Sequence, residues 1–238
     1  MRDLLIDAAE RAVRYRESLD ERPVAPSAAA IEGLAALGGD LPDAPTDPAE
    51  VLRLLDEYGS PAAIASAGGR FYGFVVGGST PVAVAANWLA TAWDQNAGLV
   101  VLGHGAAALE RVSLGWLIDL LGLPPGTGGG FVTGATMANF SGLAAARHAV
   151  LAREGWDVEE RGLFGAPEIT VILGGEVHPS VSKALTMLGL GRERVVSVPV
   201  DDQGRMIASA IPPISGPTIV CAQAGNVNTG AIDPLREI

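Results

Sequence analysis

Two hydrophobic rhythms alternate along the chain. Over residues 3 to 20, Leu4, Leu5, Ala8, Ala12, Tyr15 and Leu19 fall on one stripe at helical spacing, with Arg and Glu elsewhere. The spacing predicts an amphipathic helix whose apolar face needs a partner. Pro23 to Pro45 is rich in Pro, Ala and Gly and reads as an extended linker. Asp47-Pro48-Ala49-Glu50 then supplies an N-cap, a first-turn proline and an N3 carboxylate, which predicts a second helix to about Tyr58. Residues 1–60 are thus expected to form a helical segment with a linker. It either packs as an arm on a neighbouring subunit or covers its own domain.

After the turn Gly77-Gly78-Ser79-Thr80-Pro81, helices are predicted from Pro81 to about Ala97 and near 105 to 121. The second has Leu109, Val112, Trp116, Leu117 and Leu120 on its apolar side and ends at Gly122. Beyond it the rhythm changes. Strands are predicted at Phe131 to Thr133, Ile169 to Leu173, Val195 to Val200 and Thr218 to Ala222, with helices at 136 to 153 and 179 to 188. Apolar runs alternating with helices indicate an α/β fold with a mostly parallel sheet flanked by helices. Ligands in such sheets bind beyond the carboxyl ends of the strands.

Composition narrows the function classes. Of 238 residues 48% are hydrophobic, and the 31 glycines and 16 prolines are scattered rather than repeated, as in a globular protein. The net charge of −11 without a Lys/Arg cluster leaves no electrostatic footprint for nucleic acid. Asn87, Asp94 and Asn96 interrupt the longest apolar candidate for a membrane span. One cysteine, Cys221, and an N-terminus without an apolar signal core set a cytoplasmic expectation. The Asn139-Phe140-Ser141 triplet then reads as a chance glycosylation match.

Two places carry candidate chemistry. Phe131-Val132-Thr133-Gly134-Ala135-Thr136-Met137-Ala138-Asn139 reads as strand, small-residue turn and helix start, with Thr136 as candidate N-cap; free N–H groups there would make an anion site. Gly174-Gly175-Glu176-Val177-His178-Pro179-Ser180 puts His178 just past a buried strand and just before a helix opened by Pro179, at the binding edge of the sheet. A histidine there either stacks its ring on a planar ligand or caps the helix. The dinucleotide fingerprint and the Gly-Lys-Ser/Thr phosphate loop are both missing, and His104, His148 and His178 lack metal-ligand spacing.

Four segments in order, Phe71-Tyr72-Gly73-Phe74 through Trp93-Asp94-Gln95-Asn96, the Thr133-to-Asn139 turn, His178 through Gly191, and Gly225-Asn226-Val227-Asn228-Thr229-Gly230-Ala231-Ile232-Asp233-Pro234, resemble the group II pyridoxal-phosphate (PLP) dependent amino-acid decarboxylases, which include aromatic-amino-acid and glutamate decarboxylases. The resemblance implies a fold-type I, transferase-like fold, with residues 61–238 the first part of the PLP-binding large domain. It implies that Ala135 and Thr136 hold the cofactor phosphate, that His178 stacks on the pyridine ring, and that Asn226 lies near the cofactor where many relatives have threonine. Phe74 and Val75 fall where relatives place side chains against the substrate; a core position under the Gly77-Gly78 turn is the alternative. The implied partners are an amino-acid substrate and a second copy in a homodimer.

PLP catalysis needs a lysine as covalent anchor and an acid on the pyridine nitrogen. Lys183 is the only lysine in the sequence, and on the helix after His178 it reads as a solvated surface group. The expectation is therefore an incomplete, N-terminal portion of a decarboxylase, with an Asp and a His-Lys pair expected beyond Ile238. Other PLP lyase or deaminase chemistry is one alternative. A non-catalytic module that pairs with an intact subunit is the other.

Overall fold

The computed structural model describes every residue from Met1 to Ile238, and the chain divides into two compact units, Met1–Gln95 and Asn96–Ile238. In the first, the predicted amphipathic stripe forms helix α1 (Arg2–Glu17), continued by a 3-10 turn at Ser18–Asp20 that buries Leu19. The stretch read as a linker contains a further short helix, α2 (Ala28–Gly33), because Ser27 accepts the Ala30 N–H and the alanines after it favour helix. Helix α3 (Pro48–Leu54) starts where predicted, with the Asp47 carboxylate accepting the Ala49 N–H at 2.8 Å. Glu50 does not close the capping box; it turns to Arg53 at 2.7 Å. The helix widens into a π turn at Leu55–Gly59 and meets the one-turn α4 (Ser60–Ala62). Helix α5 (Pro81–Trp93) stops short of the predicted Ala97 because Asp94 takes a left-handed conformation, φ 48°.

Asp56 staples α1 to the turn after α3. Its carboxylate takes Arg11 Nη1 at 2.9 Å and Ser60 Oγ at 2.8 Å, with Arg14 at 3.5 Å. Burial pushes the carboxyl upward, but the Ser60 hydroxyl and the two arginines outweigh it and hold Asp56 below its ordinary 3.8. A depressed carboxylate contributes stability that is present above the unfolded value and lost as pH falls through the folded one. The packing of α1 on α3 is expected to weaken below about pH 4, and Asp56→Asn to remove that pH dependence; hydrogen exchange of α1 amides between pH 3 and 6 measures it. Equal acid sensitivity in the variant would refute the staple.

In the second unit, α6 (His104–Leu120) ends where predicted. Gly122 adopts φ +63° while Leu123 N–H reaches back to Ile118 O at 3.0 Å, a left-handed termination that suits glycine. The apolar side of α6 is present but uncovered within this chain: Leu109, Val112, Trp116 and Leu120 are all exposed. Helix α7 (Ala135–Arg153) and the single turn α8 (Val158–Arg161) lead to β1 (Thr170–Gly174), followed by α9 (Pro179–Met187), β2 (Val195–Val198) and β3 (Thr218–Cys221). The sheet is parallel, in the order β2-β1-β3, with Val171 opposite both Val195 and Ile219. The predicted strand at Phe131 to Thr133 does not form. A strand exists only through a neighbour's backbone hydrogen bonds, and this segment pairs with none of the three strands.

Side chains of the central strand split between two cores. Val171 and Leu173 face Leu143, Leu151, Ala184 and Leu185 of α7 and α9, whereas Ile172 packs with Val198 and Met206 on the opposite face. Burial on both faces explains why β1 reads as an unbroken apolar run. No helix is long and apolar enough to cross a membrane.

Candidate active site at the carboxyl edge of the sheet

Helix α7 opens with its amides unclaimed. Its N-cap is Gly134, not Thr136; the glycine offers no side chain, and the first bond into the helix runs from Ala138 N–H to Gly134 O at 3.1 Å. The amides of Ala135 and Thr136 therefore sit at the positive end of a nineteen-residue helix, with the Thr136 hydroxyl in the same first turn. Unclaimed donors at a helix N-terminus favour an anion.

His178 resolves toward the capping alternative without losing its ring face. Its Nδ1 accepts the Ser180 N–H at 3.2 Å and lies 2.7 Å from Ser180 Oγ, so it is the N-cap of α9, and Pro179 occupies the first helical position. With Nδ1 accepting, the ring proton of the neutral tautomer belongs on Nε2. The residue remains exposed, so a planar ligand can reach the ring. Ser180, itself buried, also accepts from Asn139 Nδ2 at 2.8 Å. Since Asn139 lies one helical turn past Ala135, that bond ties the mouth of α7 to the cap of α9.

Asn226 is 5% exposed and occupied by its own chain. Its Oδ1 accepts the N–H groups of Asn228 and Thr229 at 2.9 and 3.3 Å, and its Nδ2 donates to Glu176 Oε2 at 3.0 Å. Nearby, the buried Asp233 carboxylate takes Met206 N–H at 2.8 Å and Gln223 N–H at 2.6 Å, joining the end of β3 to the hairpin after β2. Burial pushes the Cys221 thiol up. Lys183 lies on the exposed side of α9.

Phe74 and Val75 belong to the first unit. They are 89% and 75% exposed, so the core alternative for them fails. Both have left-handed backbones, φ 58° and 53°. For a β-branched residue such as Val75 that conformation is strained, and strain of this kind gathers at ligand-contacting segments. Sequence reasoning missed Asn139, Ser180, Glu176 and Asp233 as organisers of the site. Ser180 follows Pro179 at the helix start, and Asn139 lies one turn from the anion turn. Those spacings were the available signals.

Known proteins resemble this chain in sequence and in fold. The family model described as the pyridoxal-dependent decarboxylase conserved domain matches residues 44–238. An aromatic-L-amino-acid decarboxylase of Bacillus atrophaeus is 28% identical over 246 residues, covering 100% of this chain and 49% of the relative. The L-2,4-diaminobutyrate decarboxylase of Acinetobacter baumannii is 30% identical over 171 residues, 65% of this chain and 32% of the relative. Among solved structures, mouse CSAD superposes with a TM-score of 0.86 at 22% identity, over 100% of this chain and 52% of that one. Oryza sativa TDC, solved with PLP and tryptamine, gives 0.81 at 23%, over 99% and 51%. The fold is that of the fold-type I PLP enzymes, and the chain spans about half the length of the relatives it matches.

Proposed function

The chain belongs to the pyridoxal-dependent decarboxylase family, and from that premise we propose that it binds pyridoxal 5′-phosphate within an enzyme that removes the carboxylate of an L-amino acid as CO2. The observation that carries this reading is the uncapped start of α7 tied through Asn139 and Ser180 to the ring of His178. Unclaimed amides and an exposed flat ring at the carboxyl edge of a parallel sheet support a phosphorylated planar ligand there.

The residues of this chain divide the work. The amides of Ala135 and Thr136 and the Thr136 hydroxyl take the phosphate, their dipoles already aligned by α7. His178 lays its ring along the pyridine, held by the Nδ1 bond to Ser180 N–H, and keeps Nε2–H as a donor toward the bound molecules. Asn226 orders the turn beside the site. When bound, PLP supplies an electron sink for the pair left by CO2 departure. Phe74 and Val75 are the substrate contacts, and residues 1–60 form an arm packing on a second copy in a homodimer. In this reading Lys183, exposed on α9, is not the covalent anchor.

The test is borohydride reduction of the full-length protein with PLP, followed by peptide mapping and assay of CO2 release from L-amino acids. One lysine other than Lys183 is expected to carry the reduced cofactor. Selective labelling of Lys183, or a protein that retains PLP but releases no CO2 from any L-amino acid, would overturn the decarboxylase reading. The second outcome would favour other PLP chemistry or the non-catalytic module.

A further inference from the structure

Three loops leave the carboxyl edge of the sheet, and they converge on Glu176. The first, after β1, carries Glu176 two residues before His178. It is short and pinned at both ends: Gly175 N–H reaches Val198 O at 3.0 Å, Val177 N–H reaches Gly174 O at 3.1 Å, and His178 is already the cap of α9. The second, after β2, is a hairpin whose Asp201 carboxylate accepts the N–H groups of Gln203 and Arg205, both at 2.9 Å. The third, after β3, is the Asn226 turn.

We infer that Glu176 is a positioning residue: by accepting the Asn226 amide it locks the turn after β3 to the loop that carries His178, and so sets the ring of His178 relative to the cofactor. The inference rests on the reading that this edge binds PLP. Asn226 has committed its oxygen to two backbone N–H groups, so Nδ2 is what it has left, and it is buried. Glu176 Oε2 meets it at 3.0 Å. The loop after β2 seals the pair. Gly204 has φ +76°, and a Cβ there would overlap both Asn226 Nδ2 and Glu176 Oε2, so backbone lies directly over the bond. Thr229 Oγ1 donates to Gln203 O at 2.7 Å and holds that cover in place. Glu176 itself is exposed, but the Asn226 amide it accepts is buried, so losing the acceptor leaves a buried donor unsatisfied. Glu176 acts through Asn226 and His178 and has no part in the bond cleavage itself.

The experiment uses the full-length protein with PLP as the probe, reading the dissociation constant and the circular dichroism band of the bound cofactor. Glu176→Ala is expected to weaken PLP binding about tenfold, the scale of one lost hydrogen bond to a charged group, and to shift the band. Glu176→Gln keeps an accepting oxygen and is expected to stay within about twofold of wild type, since one acceptor oxygen suffices. Asn226→Ala combined with Glu176→Ala should be no worse than the poorer single variant, as two ends of one interaction require. Should Glu176→Ala fail to fold, Glu176→Asp, which draws the carboxylate back by one methylene, is read instead. Reduced affinity at unchanged thermal stability supports the inference, and wild-type affinity overturns it. A Glu176→Ala protein with wild-type affinity and band, or additive losses in the double variant, overturns the inference while leaving PLP binding intact. A wild-type protein that takes up no PLP overturns the cofactor reading, and this inference falls with it.

Discussion

Asp233→Ala is expected to cost about 3 kcal/mol of folding stability, because it strands two backbone donors at once. The Asp233 carboxylate is 6% exposed and takes Met206 N–H on one oxygen and Gln223 N–H on the other. Net hydrogen-bond gains are modest, yet a donor left unsatisfied in the interior costs its full desolvation. The Met206 bond lies beside the smaller core cluster of Ile172, Val198 and Met206, where water does not easily replace the lost oxygen. Asn is not a rescue. One of its two head atoms is an NH2 group that would face a backbone N–H, so Asp233→Asn should recover less than half of the loss. Urea unfolding at pH 7 of the wild type and both variants measures this. A loss under about 1 kcal/mol for the alanine variant, the ordinary size of one exposed hydrogen bond, would show that the carboxylate does not hold the end of β3 to the hairpin after β2.

His178→Ala should weaken PLP retention about three- to tenfold, the range that ring stacking supplies, while His104→Ala and His148→Ala stay near wild type. His104 begins α6, and His148 pairs on the surface with Glu159 at 2.6 Å; neither lies at the carboxyl edge. Because His178 also caps α9, alanine removes two things together, and the cap alone is worth about 1 kcal/mol of stability. Asn separates them: it is a good N-cap without an aromatic face. His178→Asn is therefore expected to keep thermal stability and lose cofactor retention, whereas His178→Ala loses both. Cofactor release and melting temperature, measured on the same four variants, check the pair of effects. Equal cofactor release from His178→Asn and wild type would assign His178 to capping alone.

The residues that organise the site could not be weighed from the chain order alone. Glu176 looked like an ordinary loop acid and Asp233 like one more residue of a motif, because their partners, Asn226, Met206 and Gln223, lie 10 to 50 positions away. Ser180 was visible only as the residue after Pro179. Its bond to Asn139, 41 positions off, gives it meaning. The two readings of His178, cap or stacking partner, were left even by the sequence; the Nδ1 geometry decided the cap and left the ring face exposed.

Local signals, by contrast, were dependable wherever a few neighbouring residues settle the free energy. The Asp47-Pro48 start of α3, the Gly122 end of α6, the Pro179 start of α9 and the apolar run of β1 all appear as read, since capping, backbone sterics and burial on both faces act within a handful of positions. Phe131 to Thr133 reads as a strand yet forms none for the complementary reason: its apolar composition suits a sheet, but pairing is a property of two segments and only the fold supplies the second. The same holds for the apolar side of α6, which the spacing located correctly without saying what covers it. The sequence by itself thus determined the longer helices, the start of α3 and the end of α6, and which of their faces are apolar, but not α2 or the end of α5. Tertiary structure decided which polar side chains meet across the carboxyl edge, because those contacts depend on bringing distant loops within 3 Å of one another, a condition that no local pattern encodes.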